Sequence, residues 1–276
     1  MKIIVLSDNR TLASDFESEH GLCIYIETDR YKCLLDTGAS DVFIRNAHKM
    51  NLDLREVDYV FISHGHADHI GGLSAFLKIN NKAKIIVSPS ALNQEFYSKR
   101  VGLRKISVDI NFDVVKDRLI RLENEAYFEN EIHVFKNEIN KYSMPQGNRN
   151  LFKDKGKGME SDDFDHELIV TFGNDNLFVY TGCGHKGLLN ILESVKAASA
   201  SRISYVMGGF HLLDAQSNSV YESETEIEDL AGTLNNDFPH TNFITGHCTG
   251  EQAFHLLKKT LGLKLIQFYT SYKLKI

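Results

Sequence analysis

Short apolar runs alternate with helix-like stretches along most of this chain. LCIYIET (22–28) and YKCLLDT (31–37) flank the turn Thr28-Asp29-Arg30 and predict a β-hairpin. A helix is expected over 40–50, where Val42, Ile44 and Ala47 are loosely periodic. VDYVFISH (57–64) reads as a buried strand that stops at His64, and Gly71-Gly72 opens a further helix through Phe76 and Leu77. KIIVS (84–88) is a strand again. Between about 90 and 165 the pattern weakens to helix-like SALNQEFYSKR, a few short strands and the polar stretch NRNLFKDKGKGMESDD (148–163), which predicts a long loop. Regularity then returns with strands at 167–172, 176–181, 202–207, 242–245 and 263–270, and with helices at about 186–198, 222–235 and 250–261. Periodicity alone gives an α/β chain.

Composition adds limits to this picture. With 276 residues, 42% of them hydrophobic and 25% charged, the chain is that of an ordinary globular protein. At that length it can bury a core without disulfides or a structural metal, so any metal site is expected to serve chemistry. The net charge of −6 argues against a nucleic-acid or membrane-surface binder. The N-terminus MKIIVLSDNR has too short an apolar run for a signal peptide, and no stretch reaches transmembrane length. Cys23, Cys33, Cys183 and Cys248 show no CxxC or disulfide-scaffold spacing, which fits a reduced cytoplasmic setting.

The strongest chemical signal is Ser63-His64-Gly65-His66-Ala67-Asp68-His69-Ile70-Gly71-Gly72. Imidazoles and a carboxylate at this density suit zinc, manganese or iron. His64 and His66 lie about 200° apart on a helix of roughly 3.6 residues per turn, so the spacing fits a loop leaving a strand end instead. Gly65 and the Gly71-Gly72 pair permit the sharp path. His185 in GCGHKG, His211 in GGFHL and His247 in GHCTG each follow a strand pattern, as does Cys183. His211 could stabilise oxyanion charge or be a satisfied loop histidine, and His166 in DDFDHEL is open in the same way. His20, His48, His133, His240 and His255 have no partners in the sequence pattern and are read as structural. Cys248 is expected to point away from the chemistry.

The segment at 64–69 resembles the HxHxDH signature of the metallo-β-lactamase fold superfamily. The resemblance covers nearly the whole chain. It implies a four-layer αββα sandwich, taken as a single domain over 1–276 with a less regular, cap-like insert at about 90–165. Asp36, in LLDTG, matches the superfamily's early Asp-Thr-Gly motif, whose aspartate supports the metal loop from behind. The resemblance further implies two divalent ions, zinc first with manganese or iron as alternatives. His64, His66 and His185 would hold one and Asp68, His69 and His247 the other. Cys183 stands where the superfamily usually has a metal-bridging aspartate, so either Cys183 or His185 supplies the ligand there. Asp68 could alternatively orient or deprotonate the nucleophile. GCGHKG, GGFHL and GHCTG together look like the branch that holds the archaeal dihydropterin synthases of methanopterin assembly and unassigned bacterial relatives.

The expected activity is hydrolysis of a small phosphorylated or ester substrate by a metal-activated water. Arg149, Lys153, Lys155 and Lys157 are candidates for binding phosphate, and a solvated charged loop is the plain alternative. The competing readings are a pterin-diphosphate transferase and a non-catalytic metal sensor. A di-iron oxygen-reducing relative would carry Glu in place of His66, and an antibiotic-hydrolysing lactamase would be exported. The expected partner is a small molecule, not nucleic acid or membrane, and the oligomeric state is undetermined.

Overall fold

The computed structural model describes residues 1–123, 126–215 and 221–276. The chain forms two compact units: Met1–Glu125 with Leu151–Leu168 and Tyr269–Ile276, and Ala126–Asn150 with Ile169–Phe268.

The first unit is built on a seven-stranded sheet. Its strands lie in the order Lys273–Lys275, Lys2–Ser7, Cys23–Glu27, Lys32–Leu35, Tyr59–Phe61, Lys84–Val87 and Leu119–Arg121. The expected hairpin is present, pairing Ile24 with Leu35 and Ile26 with Cys33. From Lys32–Leu35 onward the strands run parallel, so their carboxyl ends share one edge of the sheet. The helix Val42–Lys49 buries Phe43 and Ala47 in a cluster with Leu6, Leu34, Val60, Ile62 and Val87. The strand residues of the opposite face, among them Ile3, Val5, Ile24, Ile26 and Ile86, are equally buried. Continuous apolar runs are what strands covered on both faces require.

A second, four-stranded sheet in this unit orders Met159–Ser161, Leu151–Asp154, Glu95–Ser98 and Arg104–Lys105. Two expectations fail here. SALNQEFYSKR is one helical turn, Pro89–Leu92, followed by the strand Glu95–Ser98. The polar stretch at 148–163 is mostly a hairpin, with Phe152 opposite Ser161 and Asp154 opposite Met159. Its inward alternation is disguised because one inward position, after Leu151, is a lysine. Lys153 is only 2% exposed and is neutralised by Asp163 and, at 3.7 Å, by Asp165.

The second unit carries the other seven-stranded sheet, ordered Leu265–Gln267, Asn242–Thr245, Arg202–Gly208, Asn176–Tyr180, Leu168–Phe172, Ile132–Lys136 and Tyr127–Glu129. The first four of these are mutually parallel. Helices Leu188–Ala198, Glu224–Asp237 and Glu251–Leu261 bury Ile191, Leu192, Ile227, Leu234 and Leu257 in one cluster with Val179, Val206, Phe243 and Leu265. Ser223 and Glu226 form a reciprocal capping box that starts the middle helix. Among the described residues no helix is long and apolar enough to cross a membrane.

Candidate metal centre

In open α/β sheets, ligands gather beyond the carboxyl ends of parallel strands. In the first unit that edge carries Asp36, after Lys32–Leu35, and Ser63-His64, after Tyr59–Phe61. Asp36 is fully buried with a left-handed backbone, φ 58°. Its Oδ1 accepts the Ser63 amide at 2.7 Å, and its Oδ2 accepts the Ser63 hydroxyl at 2.6 Å and the His69 Nδ1 proton at 2.6 Å. The Ser63 hydroxyl has one proton, and Asp36 takes it. The 2.9 Å contact between Ser63 Oγ and His64 Nδ1 therefore has the imidazole donating. Both His64 and His69 thus carry their proton on Nδ1 and a lone pair on Nε2.

The motif is a loop only as far as His66. Ala67–Ile70 is a helical turn that carries Asp68 and His69, and Thr37 ties it down by donating its amide to the His69 carbonyl at 2.7 Å. His64 and His66 ring centroids are 4.6 Å apart, and those of His64 and His69 are 4.0 Å apart. Burial first, then the neighbouring His69 and His66, holds the pKa of His64 well below the usual imidazole range. A side chain at Gly65 would strike the Phe96 ring at 2.4 Å, so only glycine lets the loop pass there. Asp68 is partly exposed, and its Oδ2 lies 3.3 Å from His20 Nε2 and 3.9 Å from His69 Nε2. His20 is therefore beside the candidate chemistry, contrary to its reading as a structural residue.

His166 closes the loop from the other side. Its Nδ1 accepts the Gly65 amide at 3.0 Å, and its Nε2 donates to Asp162 Oδ2 at 3.1 Å. With both ring nitrogens engaged, His166 is not placed to shuttle a proton to a substrate. Burial lowers the His166 pKa, and Asp162 opposes this without overcoming it. Burial would raise the Asp162 pKa, but His166 and His66 together hold it far below the usual carboxylate range.

In the second unit the chemistry again follows parallel strand ends. Cys183 and His185 follow Asn176–Tyr180, His211 follows Arg202–Gly208, and His247 follows Asn242–Thr245. His185 is 1% exposed; its Nδ1 meets Asn148 Oδ1 at 2.9 Å, and Asn148 Nδ2 donates to its carbonyl at 2.7 Å. An amide oxygen only accepts, so His185 also keeps its lone pair on Nε2. His211 and His247 are buried and left-handed, with φ of 49° and 53°. The His211 ring centroid is 4.2 Å from that of His185.

Cys248 does not point away. Its Sγ lies 3.6 Å from the Cys183 carbonyl, and the Cys183, His211 and Cys248 donor atoms are within 4.8 Å of one another. Burial pushes the Cys248 thiol up, while bonding to Cys183 and His211 and the charge of His247 and His211 pull it further down. Of the four cations assigned to phosphate, three have other neighbours. Lys153 lies beneath its carboxylates and Lys155 Nζ is 3.5 Å from Asp165, while Arg149 sits 5.4 Å over the Tyr221 ring. Lys157 is exposed.

Buried imidazoles whose Nδ1 protons are fixed by a carboxylate, a hydroxyl or an amide oxygen match the outer bonds that orient metal-ligating histidines. Within each unit such imidazoles fit a divalent ion. The family model of the metallo-β-lactamase superfamily matches residues 19–172, more than half of the chain. A Methanocaldococcus jannaschii protein named 7,8-dihydropterin-6-methyl-4-(β-D-ribofuranosyl)-aminobenzene-5'-phosphate synthase is 27% identical over 260 residues, covering 87% of this chain and 84% of that one. An uncharacterised protein of the same organism is 28% identical over 93% of this chain and 94% of its own length. The solved structure of Tm1679, described as a metal-dependent hydrolase of the β-lactamase superfamily, is 30% identical with a TM-score of 0.82, covering 100% of this chain and 99% of that one. With the signature histidines on a strand-end loop and these matches over most of its length, the chain belongs to the metallo-β-lactamase superfamily and has its α/β fold.

Proposed function

We propose that this protein is a metal-dependent hydrolase of a small phosphorylated or ester substrate. The observation that carries the reading is the fixing of three buried histidines, His64, His69 and His185, in the one tautomer that presents Nε2 as a lone pair. The proposed holders of divalent ions, two in all and zinc first, are His64, His66, Asp68 and His69 in the first unit and, taken separately, His185 and His247 in the second. Cys183 remains the alternative to His185. When bound, such ions would polarise a phosphoryl or carbonyl oxygen and lower the pKa of a water toward about 7. As the alternative to holding metal, Asp68 is the proposed base: it is the candidate carboxylate with solvent access, and His20 beside it, 58% exposed, can pass the proton on to water. His211 is the proposed stabiliser of developing oxyanion charge.

The test compares chelator-treated and zinc-restored protein on bis(p-nitrophenyl) phosphate and p-nitrophenyl esters. Activity that vanishes with the metal and returns with it supports the reading; activity indifferent to the chelator overturns it. A second reading has one observation in its favour, the name of the M. jannaschii relative. Dihydropterin-methyl diphosphate, supplied with and without the aminobenzene acceptor, separates the two. Acceptor-dependent condensation with no simple ester cleaved would make the protein a transferase.

A further inference from the structure

Asp162, Phe164 and His166 form a compact device immediately before the strand Leu168–Phe172. Asp162 Oδ1 accepts the Phe164 amide at 2.8 Å, which bends the chain through a left-handed Phe164, φ 55°. Phe164 is not a residue that adopts this backbone readily, so the surrounding contacts hold it there. The bend brings His166 back over Asp162, and the two bond at 3.1 Å through Nε2 and Oδ2. His166 then has a single acceptor left, Nδ1, and it takes the Gly65 amide between His64 and His66. The His166 ring packs 4.2 Å from the ring of Phe96, the side chain that forbids any residue larger than glycine at position 65. Asp162 Oδ2 also lies 3.7 Å from His66 Nε2, too far for a hydrogen bond. All of Asp162, Phe164, His166 and His66 are buried.

We infer that Asp162 and His166 are the positioning pair of the histidine loop, His166 fixing the Gly65 peptide and Asp162 fixing the proton of His166 on Nε2. This rests on the proposed metal site and adds the groups that aim it. The pair works as a chain of donors and acceptors. In Asp162→Asn the amide must place its NH2 against either the His166 Nε2 proton or the Phe164 amide proton. The first choice flips the His166 tautomer and sets a proton against the Gly65 amide; the second undoes the bend.

The experiment uses the full chain with zinc alone as the probe. In zinc-loaded wild-type protein, nitrogen NMR of the histidine rings should show His166 protonated at Nε2 and unprotonated at Nδ1. Asp162→Asn should lower zinc affinity, measured by chelator competition, by about ten- to a hundredfold. His166→Asn keeps an oxygen acceptor for the Gly65 amide and should lose less. A His166 protonated at Nδ1, or an Asp162→Asn protein with wild-type zinc affinity, overturns the inference. His64→Ala separates this from the reading beneath it: if that variant also keeps all its zinc, the metal site itself is wrong. If His64→Ala loses zinc and Asp162→Asn does not, only the positioning pair is wrong. Should Asp162→Asn fail to fold, the His166 ring signals of the wild-type protein decide alone.

Discussion

The candidate donors of the two units are organised in opposite ways. In the first unit, four come from six consecutive residues, and one carboxylate, Asp36, holds both Ser63 and His69. In the second, His185, His211 and His247 come from the ends of three neighbouring parallel strands, and the support for His185 is the neutral amide of Asn148. A charged acceptor makes a hydrogen bond roughly twice as strong as a neutral one. The first set should therefore be the more rigid and the more dependent on its outer bonds.

The largest effect expected is in His64→Ala, which should lose bound metal and with it nearly all hydrolysis, as elemental analysis and a rate assay would show. Asp68→Asn should behave differently, with turnover falling further than metal content; full activity there would remove Asp68 as base. Next comes the contrast between outer bonds. Asp36→Asn should weaken zinc binding by about ten- to a hundredfold, and Asn148→Ala should weaken it less, because only a neutral bond is lost. Equal losses would erase the difference between the two sets.

A smaller effect follows from buried neutral histidines. His64 and His166 have lowered folded-state pKa values, so the unfolded chain binds more protons below its ordinary imidazole pKa of about 6.5. The stability of metal-free protein should be complete above that pH and fall as acid is added, which denaturant titrations at several pH values would check. The smallest effect is expected at Lys153→Met. Asp163 is largely exposed and is not stranded by losing its partner, so folding stability should change by no more than about 1 kcal/mol. An unchanged KM for a phosphorylated substrate would also confirm that Lys153 has no part in binding it.

What the sequence made legible follows the same contrast. The histidine loop declared itself because its ligand types are contiguous and follow an apolar run, and Asp36 was recoverable from LLDTG. Asp162 was not, because one carboxylate among the several of MESDDFDHE looks like any other until Phe164 turns left-handed and brings His166 back to it. Cys248 was misread because adjacent residues were assumed to face opposite ways. That holds in a strand, whereas His247-Cys248 occupies a turn with a left-handed residue. His20 is far from the motif in sequence and reaches Asp68 only through the tertiary fold. The hairpin at 151–161 was hidden by Lys153, a polar letter at an apolar position.

The composition of the first unit has a consequence for how the chain is made. Its sheet has Lys2–Ser7 paired on one side with Cys23–Glu27 and on the other with Lys273–Lys275, with Lys2 opposite Lys275. During synthesis the amino-terminal strand leaves the ribosome early, yet its outer neighbour belongs to Tyr269–Ile276, which follows every residue of the second unit. From the synthesis of Cys23–Glu27 until that of Tyr269–Ile276, the unit that holds the histidine motif must therefore keep an open, hydrogen-bonding strand edge, the kind of surface that recruits stray strands. The second unit can close from residues already made, so a nascent chain stalled just before Tyr269 should expose that one edge to whatever quality-control factor is at hand.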